Sequence, residues 1–311
     1  MNGPLLLTGA SGWFGRTALH AYEQDYGPEA LRQAVIPFAS QECWVDYGSP
    51  HGPIRALPLD ALSSISHPAG LLHLAFLTRD KVEPLGWQRY VALNRAITAK
   101  VLDLLEAWPT MPVVACSSGA AQAAEGGEPE SLLASNPYAV LKLQEELSLA
   151  KLAATRLTVV FRVFAASGRF MTRADQFALG DFLLQALANR PIVVQNPALV
   201  MRSYIHTGTL MRAAWRLLLG GPGHGLQTPG FHRLDACTHT VRLSDLARFI
   251  ARRFGVPFAV PPVAADPSQQ DLYIGDALPM TALLRALHLP LCDLDEQISD
   301  TCLALQAAAP A

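Results

Sequence analysis

Short apolar runs of strand length alternate along the first half of the chain with segments whose apolar residues recur at helical spacing. The strand-like runs cover residues 5–7, 33–38, 54–57, 71–76 and 112–116, and the clearest helical patterns cover residues 14–22 and 87–108. Runs without polar alternation are typical of parallel strands that are buried on both faces. The pattern therefore predicts an α/β fold with a doubly wound, mostly parallel sheet and right-handed crossovers.

A glycine-rich turn joins the first strand to the first helical segment. Gly9, Gly12 and Gly15 follow one another at three-residue spacing. Glycines let the backbone approach a pyrophosphate closely, and the free N–H groups and dipole of a helix N-terminus favour its negative charge. The turn predicts a dinucleotide site, against the alternative of a glycine turn that binds nothing. The other residues of the turn that we expect at this site are Ser11, Trp13 and Phe14.

Positions farther along the chain bear on the same site. The tip of the second strand reads Ala39-Ser40-Gln41 and lacks the acid that takes the ribose hydroxyls in NAD enzymes, so NAD and NADP both stay open. Ser40 could lie beside a 2′-phosphate, although no arginine follows it. Asp60 is expected near the adenine, unless it only starts a short helix. The end of the run at 71–76 should lie beside the glycine turn and bring three residues to the cofactor, namely Leu74, Ala75 and Phe76.

The candidate catalytic residues are a serine and a tyrosine–lysine pair. Ser118 follows the fifth apolar run, at the sheet edge where ligands bind in open α/β folds. Tyr138 and Lys142 are four residues apart in a segment that Ser135 or Asn136 would cap as a helix, so they share one helix face.

These three groups are suited to proton and hydride exchange. A nearby ammonium lowers the pKa of a phenol from its ordinary value of about 10. Tyr138 could then exchange a proton with an alcohol or a carbonyl while a nicotinamide exchanges hydride. Ser118 would hydrogen-bond the same oxygen, and Lys142 would also reach the cofactor ribose. The alternative is an exposed tyrosine and lysine on a helix surface.

The glycine turn, Ser118 and the Tyr-x-x-x-Lys motif, in this order, resemble the extended short-chain dehydrogenases/reductases of the NAD-dependent epimerase/dehydratase family. The resemblance covers nearly the whole chain. It implies that Asn94 lies beside the catalytic groups, that Asp181 stands at a sugar-nucleotide position, and that Arg202 meets a diphosphate. It also implies a strand at residues 157–164.

The resemblance further implies the architecture and assembly. A Rossmann-type dinucleotide-binding domain is expected over residues 1–164, and a smaller α/β substrate lobe over residues 165–311. The segment at about 202–219 should return to the first domain. Relatives dimerise through the long helix at 87–108 and the tyrosine helix, so we expect a homodimer.

Departures from the family narrow the expected reaction. Thr207-Gly208-Thr209 replaces the usual aspartates, and an acid at Asp181 would repel a diphosphate unless it takes a sugar or base donor. Gly119 and Ala120 cannot supply the acid and base that a sugar dehydratase needs. The expected function is an NAD(P)-dependent nucleotide-sugar epimerase or 4-ketoreductase. The alternatives are a reductase of a non-sugar carbonyl and a non-catalytic NAD(P)-binding protein.

Composition excludes several other classes of partner. The net charge of −2 and the lack of a basic run argue against nucleic acid or an anionic membrane, which leaves a small-molecule substrate. Five scattered cysteines and histidines without ligand spacing predict no metal site. No signal-like start or membrane-length apolar run is visible, so a cytoplasmic location is expected.

Overall fold

The computed structural model describes residues 3–126, 129–194, 199–220, 225–226, 228–259 and 270–308. Its strands, numbered in chain order, are β1 (Leu5–Thr8), β2 (Val35–Ala39), β3 (Cys43–Val45), β4 (Ile54–Pro58), β5 (Gly70–His73), β6 (Val113–Ser118), β7 (Leu157–Val163), β8 (Ala165–Ser167), β9 (Ile192–Val193), β10 (Leu199–His206), β11 (Gly230–Ala236), β12 (His239–Arg242), β13 (Phe258–Ala259) and β14 (Gln270–Tyr273).

Its helices are α1 (Trp13–Tyr26), α2 (Pro28–Ala34), α3 (Val82–Leu85), α4 (Trp87–Ala107), α5 (Pro129–Leu132), α6 (Pro137–Lys151), α7 (Ala178–Leu187), α8 (Thr207–Leu218), α9 (Leu243–Phe254), α10 (Ala277–Ala286) and α11 (Leu294–Ala308). Among the helices of the described residues, none is both long enough and apolar enough to cross a membrane.

The large sheet has the strand order β11-β7-β6-β5-β1-β2-β4-β3. Its neighbouring strands are parallel except for the β3–β4 pair at one edge. From β1 the chain adds β2 and β4 on one side, and it then returns to add β5, β6 and β7 on the other side. The strand order therefore reverses between β1 and β5, next to the glycine turn that follows β1. This is the doubly wound, Rossmann-type arrangement, so the predicted fold class is confirmed.

Alternating side chains of β1 show why the sheet is covered on both faces. Leu5 and Leu7 are buried in a core that also contains Leu19 of α1 and Trp215 of α8. Leu6 points to the opposite core, which contains residues of α4 and α6. A strand with apolar side chains on both faces needs helices on both faces, which is why the sequence shows no polar alternation here.

The second half of the chain adds a smaller layer. Strand β10 pairs with β12, β14 and β8 in a second sheet, and β13 pairs with β9. Helices α7, α9 and α11 share a separate core that includes Leu183, Ile250 and Ile298. Helix α8 packs on α1 through the hydrogen bond from Trp215 Nε1 to Ala18 O, and β11 joins the large sheet.

Several predicted element bounds shift in the structure. The run at 33–38 forms a strand only from Val35, because Gln33 and Ala34 end helix α2. The run at 71–76 forms a strand only as far as His73. The Leu74 N–H is shared between the Thr8 carbonyl and the Thr8 hydroxyl, and the Ala75 N–H turns to that hydroxyl.

Pro37 lies inside β2, but pairing of β2 with β4 begins only at Phe38. Pro37 therefore pairs with β1 only. This agrees with the expectation that a proline, which has no N–H to donate, lies at an edge or at an irregular end of a strand.

A buried ion pair fastens helix α6 to strand β7. Arg162 and Glu146 have side chains that are each 2% exposed, and Arg162 Nη2 lies 2.7 Å from Glu146 Oε2. Arg162 also pairs at 2.6 Å with Glu125, which is 40% exposed and contacts Arg233 as well. Because a buried charge without its partner is costly, this pair strongly constrains how the helix sits on the sheet.

We expect Arg162→Met to lower the free energy of unfolding by about 3–5 kcal/mol, because the buried Glu146 would keep only the partly exposed Arg233, 3.6 Å away, as a cation. Arg233→Met removes a partly exposed partner of the same network and should cost less than about 1 kcal/mol. Urea-induced unfolding followed by circular dichroism measures both. Equal effects of the two variants would contradict the assignment.

Candidate active site

The glycine turn leaves an opening at the N-terminus of α1. A Cβ on Gly9 would lie 2.7 Å from Ala75 N, and one on Gly15 would lie 2.2 Å from Gly9 O. A Cβ on Gly12 would meet only Gly9 O, at 3.4 Å. The N-cap residue of α1 is Gly12, which has no side chain to cap the helix. Gly9 and Gly15 thus permit the tight packing of the turn, and Gly12 leaves room for an anion at the helix dipole.

Aromatic residues close one side of the turn. Trp13 donates a hydrogen bond from Nε1 to Arg169 O at 2.7 Å, and its ring contacts Phe14 at 5.4 Å and Phe177 at 6.1 Å between centroids. Ser11 is exposed at the tip of the turn. The turn is therefore tied to the segment between β8 and α7 by a side chain from its own first helical residue.

Two residues expected near the adenosine lie at the surface. Ser40 is exposed directly after β2. The side chain of Asp60 is 81% exposed and forms an ion pair of 2.8 Å with Lys100 of α4. Both side chains are exposed to solvent, so a ligand could contact them only at the protein surface.

The lysine of the Tyr-x-x-x-Lys motif is buried rather than exposed. Lys142 Nζ donates to Cys116 O and to Glu145 Oε2, each at 2.9 Å, and lies 3.7 Å from the centre of the Phe76 ring. The Phe76 ring also meets the half-buried Tyr138 ring edge-on, with centroids 5.9 Å apart. Phe76 therefore contacts both members of the motif, and β6 holds the lysine through a backbone carbonyl.

Ser118 is bonded to a tyrosine from the second half of the chain. Its Oγ lies 3.0 Å from Tyr273 Oη, at the end of β14, and accepts a hydrogen bond from Ala120 N at 3.2 Å. Tyr273 also contacts the Phe164 ring. Burial raises the pKa of Tyr273, and the hydrogen bond with Ser118 offsets part of that increase. Tyr273 was not among the residues expected from the sequence, where nothing ties it to a serine so far away.

Asn94 supports the segment after β5. It is fully buried in α4, its Oδ1 accepts a hydrogen bond from Leu77 N at 2.8 Å, and its Nδ2 donates to Leu77 O and Tyr90 O at 3.4 Å. These contacts hold the backbone that follows Phe76. The structure thus links Asn94 to the Tyr138–Lys142 pair only indirectly, through the main chain that follows Phe76.

Arg202 and Asp181 engage partners of their own. The guanidinium of Arg202 makes a two-pronged ion pair with Asp271, at 3.0 Å to Oδ1 and 2.6 Å to Oδ2. Asp181, in the first turn of α7, accepts a hydrogen bond from Gln185 at 2.7 Å. The Arg202 guanidinium could bind a phosphate in a bidentate way, but its N–H groups are already bonded to a carboxylate of the adjacent strand β14.

A buried network of hydrogen bonds contacts the lysine of the Tyr-x-x-x-Lys motif. His73 lies 2.7 Å from Thr8 Oγ1 through Nδ1 and 3.0 Å from Glu145 Oε1 through Nε2. Burial alone would raise the pKa of Glu145, but the Lys142 ammonium and the hydrogen bond from His73 outweigh burial and lower it to about 2. Glu145 is thus an anion inside the protein. The sequence gives only a weak signal for it, a carboxylate three residues after Lys142.

The structure thus brings part of the predicted catalytic set together. Lys142 reaches Cys116 on the strand that ends in Ser118, and Tyr138 joins them through Phe76. Across the part of the chain that the structure describes, no three His, Cys, Asp or Glu residues form a group that could hold a metal ion.

Solved structures resemble this fold over its whole length. MoeE5 in complex with UDP-glucose and NAD is 17% identical, with a TM-score of 0.70 over 98% of this chain and 99% of that chain. UDP-glucose 4-epimerase from Thermotoga maritima is 16% identical, with a TM-score of 0.69 over 98% and 99%. UDP-N-acetylglucosamine 4-epimerase from Methanobrevibacter ruminantium M1 is 16% identical, with a TM-score of 0.70 over 99% of both chains. At these identities the likeness shows the fold.

Sequence comparison gives the family. A search of curated protein sequences finds no significant match. The family model of the NAD dependent epimerase/dehydratase family matches residues 5–224, which include the glycine turn, Ser118 and the Tyr-x-x-x-Lys motif. The chain therefore belongs to the NAD dependent epimerase/dehydratase family and is an enzyme of the extended short-chain dehydrogenase/reductase type.

Proposed function

We propose that this enzyme transfers hydride between a nicotinamide cofactor and a substrate carbon bearing a hydroxyl or carbonyl, with Tyr138 exchanging the proton at the oxygen. The leading reaction is that of a nucleotide-sugar epimerase or 4-ketoreductase. The observation that carries the proposal is the hydrogen bond from Lys142 Nζ to Cys116 O, which ties the tyrosine helix to the strand ending in Ser118. That contact supports one common site for the three groups.

The glycine turn fits the dinucleotide. The open side of Gly12 and the uncapped terminus of α1 suit a pyrophosphate, while Trp13, Phe14 and the segment at 74–76 would line the cofactor. NAD is the cofactor for which the family is named. The missing acid beside Ser40 keeps NADP as the alternative. When bound, the nicotinamide donates or accepts the hydride.

Ser118 and Tyr138 would act on the same substrate oxygen. Ser118 orients that oxygen by a hydrogen bond, and Tyr138 supplies or removes its proton. In the structure the Ser118 hydroxyl bonds to Tyr273. An entering substrate oxygen would therefore replace or join the Tyr273 hydroxyl, which makes Tyr273 a further candidate for contact with the substrate.

A dehydratase is the least suitable reaction of the family for this site. Eliminating water needs an acid for the leaving hydroxyl and a base at the neighbouring carbon. The residue after Ser118 is Gly119, and a Cβ there would lie 2.5 Å from the Phe164 ring. A side chain at this position would clash with that ring, which supports epimerisation or reduction instead.

The proposal divides the chain between cofactor and substrate. Residues 1–164 would bind the dinucleotide and residues 165–311 the substrate, with about 202–219 returning to the first domain. Packing of α8 on α1 and the separate core of α7, α9 and α11 support this division. A homodimer would form through α4 and α6, where the exposed Leu147 lies among polar and charged residues of both helices, including Arg95, Gln144 and Lys151.

A second candidate is a reductase of a carbonyl compound without a nucleotide. The ion pair of Arg202 with Asp271 favours this candidate, because the carboxylate accepts hydrogen bonds from both terminal nitrogens of the guanidinium. Asp181 adds a second carboxylate to the region where the sugar nucleotide is expected. A diphosphate would have to displace Asp271 from Arg202 and remain near its charge, at an electrostatic cost.

Tyr138→Phe should lower kcat by about 100- to 1000-fold without unfolding the protein, because the proton donor is removed. Reduction is followed by reduced nicotinamide absorbance with a panel of UDP- and dTDP-sugars and simple ketones, and epimerisation, which leaves the cofactor unchanged overall, by chromatography of the sugar nucleotides. Tyr26→Phe, at the far end of α1 from the glycine turn, is the matched control and should keep native turnover. Undiminished turnover of Tyr138→Phe would remove Tyr138 from the mechanism.

Calorimetry with UDP and dTDP separates the two candidate substrate classes. If the substrate is a nucleotide sugar, the native protein binds one of them, and Asp271→Asn tightens binding about threefold or more by freeing Arg202. Asp245→Asn removes an exposed carboxylate on α9 and is the control. Failure of both nucleotides to bind to native protein and to Asp271→Asn would favour the non-nucleotide reductase.

Gly12→Val should weaken binding of NADH at least about tenfold, because its side chain would enter the space expected for the pyrophosphate. Gly12→Ala should give an intermediate loss. Protein fluorescence measures NADH binding, and thermal unfolding without ligand should shift little in either variant, since a Cβ at Gly12 meets only Gly9 O. Native affinity in Gly12→Val would place the cofactor elsewhere.

A further inference from the structure

A second hydroxyl lies beside Ser118, and the proposed proton and hydride steps do not use it. Ser118 Oγ is 3.0 Å from the Oη of Tyr273, which comes from the second half of the chain. Ser118 is 6% exposed and Tyr273 is half-buried. Because a buried polar group is costly without a partner, two hydroxyls brought together here are expected to bond to each other. Which of them donates determines what Ser118 can offer to a substrate.

One aromatic ring holds the segments that carry these two hydroxyls. The ring of Phe164, directly after β7, lies 5.0 Å from the Tyr273 ring between centroids. A Cβ on Gly119, the residue after Ser118, would lie 2.5 Å from one edge of the Phe164 ring. A Cβ on Gly275, two residues after Tyr273, would overlap the opposite edge. Glycine at both positions lets the two segments close on the same ring, so the contact between the hydroxyls is part of the packing.

The backbone around Tyr273 is fixed independently of its side chain. In β14, Tyr273 pairs with Arg202 of β10. The Gly275 N–H donates a hydrogen bond to the Ser203 hydroxyl at 3.2 Å. Neither contact uses the phenol, so Tyr273→Phe should leave the strand in place.

The chemistry of the two hydroxyls indicates which one donates. Ser118 Oγ accepts a hydrogen bond from Ala120 N at 3.2 Å, which occupies one of its two lone pairs. A phenol is more acidic than an aliphatic alcohol, and its oxygen is the poorer acceptor because electron density is delocalised into the ring. The favoured arrangement therefore has Tyr273 donating to the second lone pair of Ser118. The hydrogen of Ser118 is then left for another acceptor.

We propose that Tyr273 is a positioning residue that makes Ser118 a hydrogen-bond donor to the substrate oxygen. The inference rests on the proposed function, in which Ser118 and Tyr138 act on that oxygen. With both lone pairs of Ser118 occupied, the serine meets the substrate only through its hydrogen, and the substrate oxygen joins the pair without replacing the phenol. A carbonyl oxygen accepts this hydrogen, and the bond strengthens as negative charge develops during hydride transfer.

No proton leaves Ser118 or Tyr273 in this arrangement. In reduction the carbonyl carbon gains the hydride of the reduced nicotinamide, and its oxygen gains the proton of Tyr138. In oxidation the substrate alcohol must give its proton to Tyr138, because Ser118 has no lone pair left to accept it. Burial raises the pKa of Tyr273, and hydrogen bonds with Ser118 and Ala120 N offset only part of that rise. The phenol is therefore neutral near pH 7 and keeps the hydrogen that it donates.

A double-mutant cycle tests whether Tyr273 acts through Ser118. The quantity is kcat for the member of the substrate panel that the native enzyme turns over fastest. Tyr273→Phe should lower kcat about tenfold, because Ser118 is no longer held as a donor, and Ser118→Ala should lower it about 100-fold. In the Ser118→Ala background, Tyr273→Phe should change kcat by less than about twofold, because the hydroxyl that it positions is gone.

The cycle separates positioning from the other roles of a tyrosine. A residue that only supports the fold, or that touches the substrate itself, would lower kcat by a similar factor in both backgrounds. That result would overturn the proposal, and so would native turnover of Tyr273→Phe. Tyr26→Phe removes a tyrosine hydroxyl at the far end of α1 and is the matched control, which should leave kcat unchanged in both backgrounds.

Neutron diffraction from crystals of the native, deuterated protein without ligands is a second test that needs neither turnover nor a variant. We expect the Tyr273 deuterium on the line to Ser118 Oγ and the Ser118 deuterium directed away from Tyr273. A Ser118 deuterium directed at Tyr273 Oη, or no hydrogen bond between the two, would overturn the proposal. If Tyr138→Phe kept full turnover, the proposed function would fail while the neutron result would still stand.

Discussion

The buried ammonium of Lys142 needs polar partners inside the protein, and these partners determine how the elements of the candidate site pack together. The side chain is 7% exposed, and its charge meets the carbonyl of Cys116, the carboxylate of Glu145 and the face of Phe76. Each of these partners belongs to a different segment. The lysine therefore fixes α6 against β6 and the segment after β5, and it brings the tyrosine of its own helix to the carboxyl edge of the sheet.

The opposite wall of the site comes from the second half of the chain. Tyr273 reaches Ser118, and Asp271, two residues earlier on the same strand, holds Arg202. One short strand thus engages both a candidate catalytic residue and the candidate diphosphate ligand. In the proposed binding mode a nucleotide sugar would meet both contacts, so β14 would influence which substrates this enzyme accepts.

The sequence was sufficient for the features that depend on local spacing. The glycine turn, the strand ahead of it and the helix that carries Tyr138 and Lys142 all follow from residues close in the chain, and the fold class follows from their order. The cap of that helix also follows from local chemistry, since the Asn136 side chain accepts a hydrogen bond from Ala139 N.

The partners of these groups could not be predicted in the same way. Ser118 and Tyr273 are 155 residues apart, and no periodicity connects them. Glu145 and Glu146 are neighbours on one helix, yet each is buried in a different ion pair because successive helical residues face different elements. Adjacent carboxylates usually indicate a solvated surface, so their burial becomes visible only when β5 and β7 are packed against α6.

The most direct test of the account is a crystal structure with NADH and a bound ketone substrate or inert analogue. We predict that the Tyr138 hydroxyl lies within hydrogen-bond distance, about 2.6–3.2 Å, of the substrate oxygen, with Ser118 on the same oxygen. A substrate oxygen held by Tyr273 alone, with Tyr138 turned away from the cofactor, would contradict the central claim.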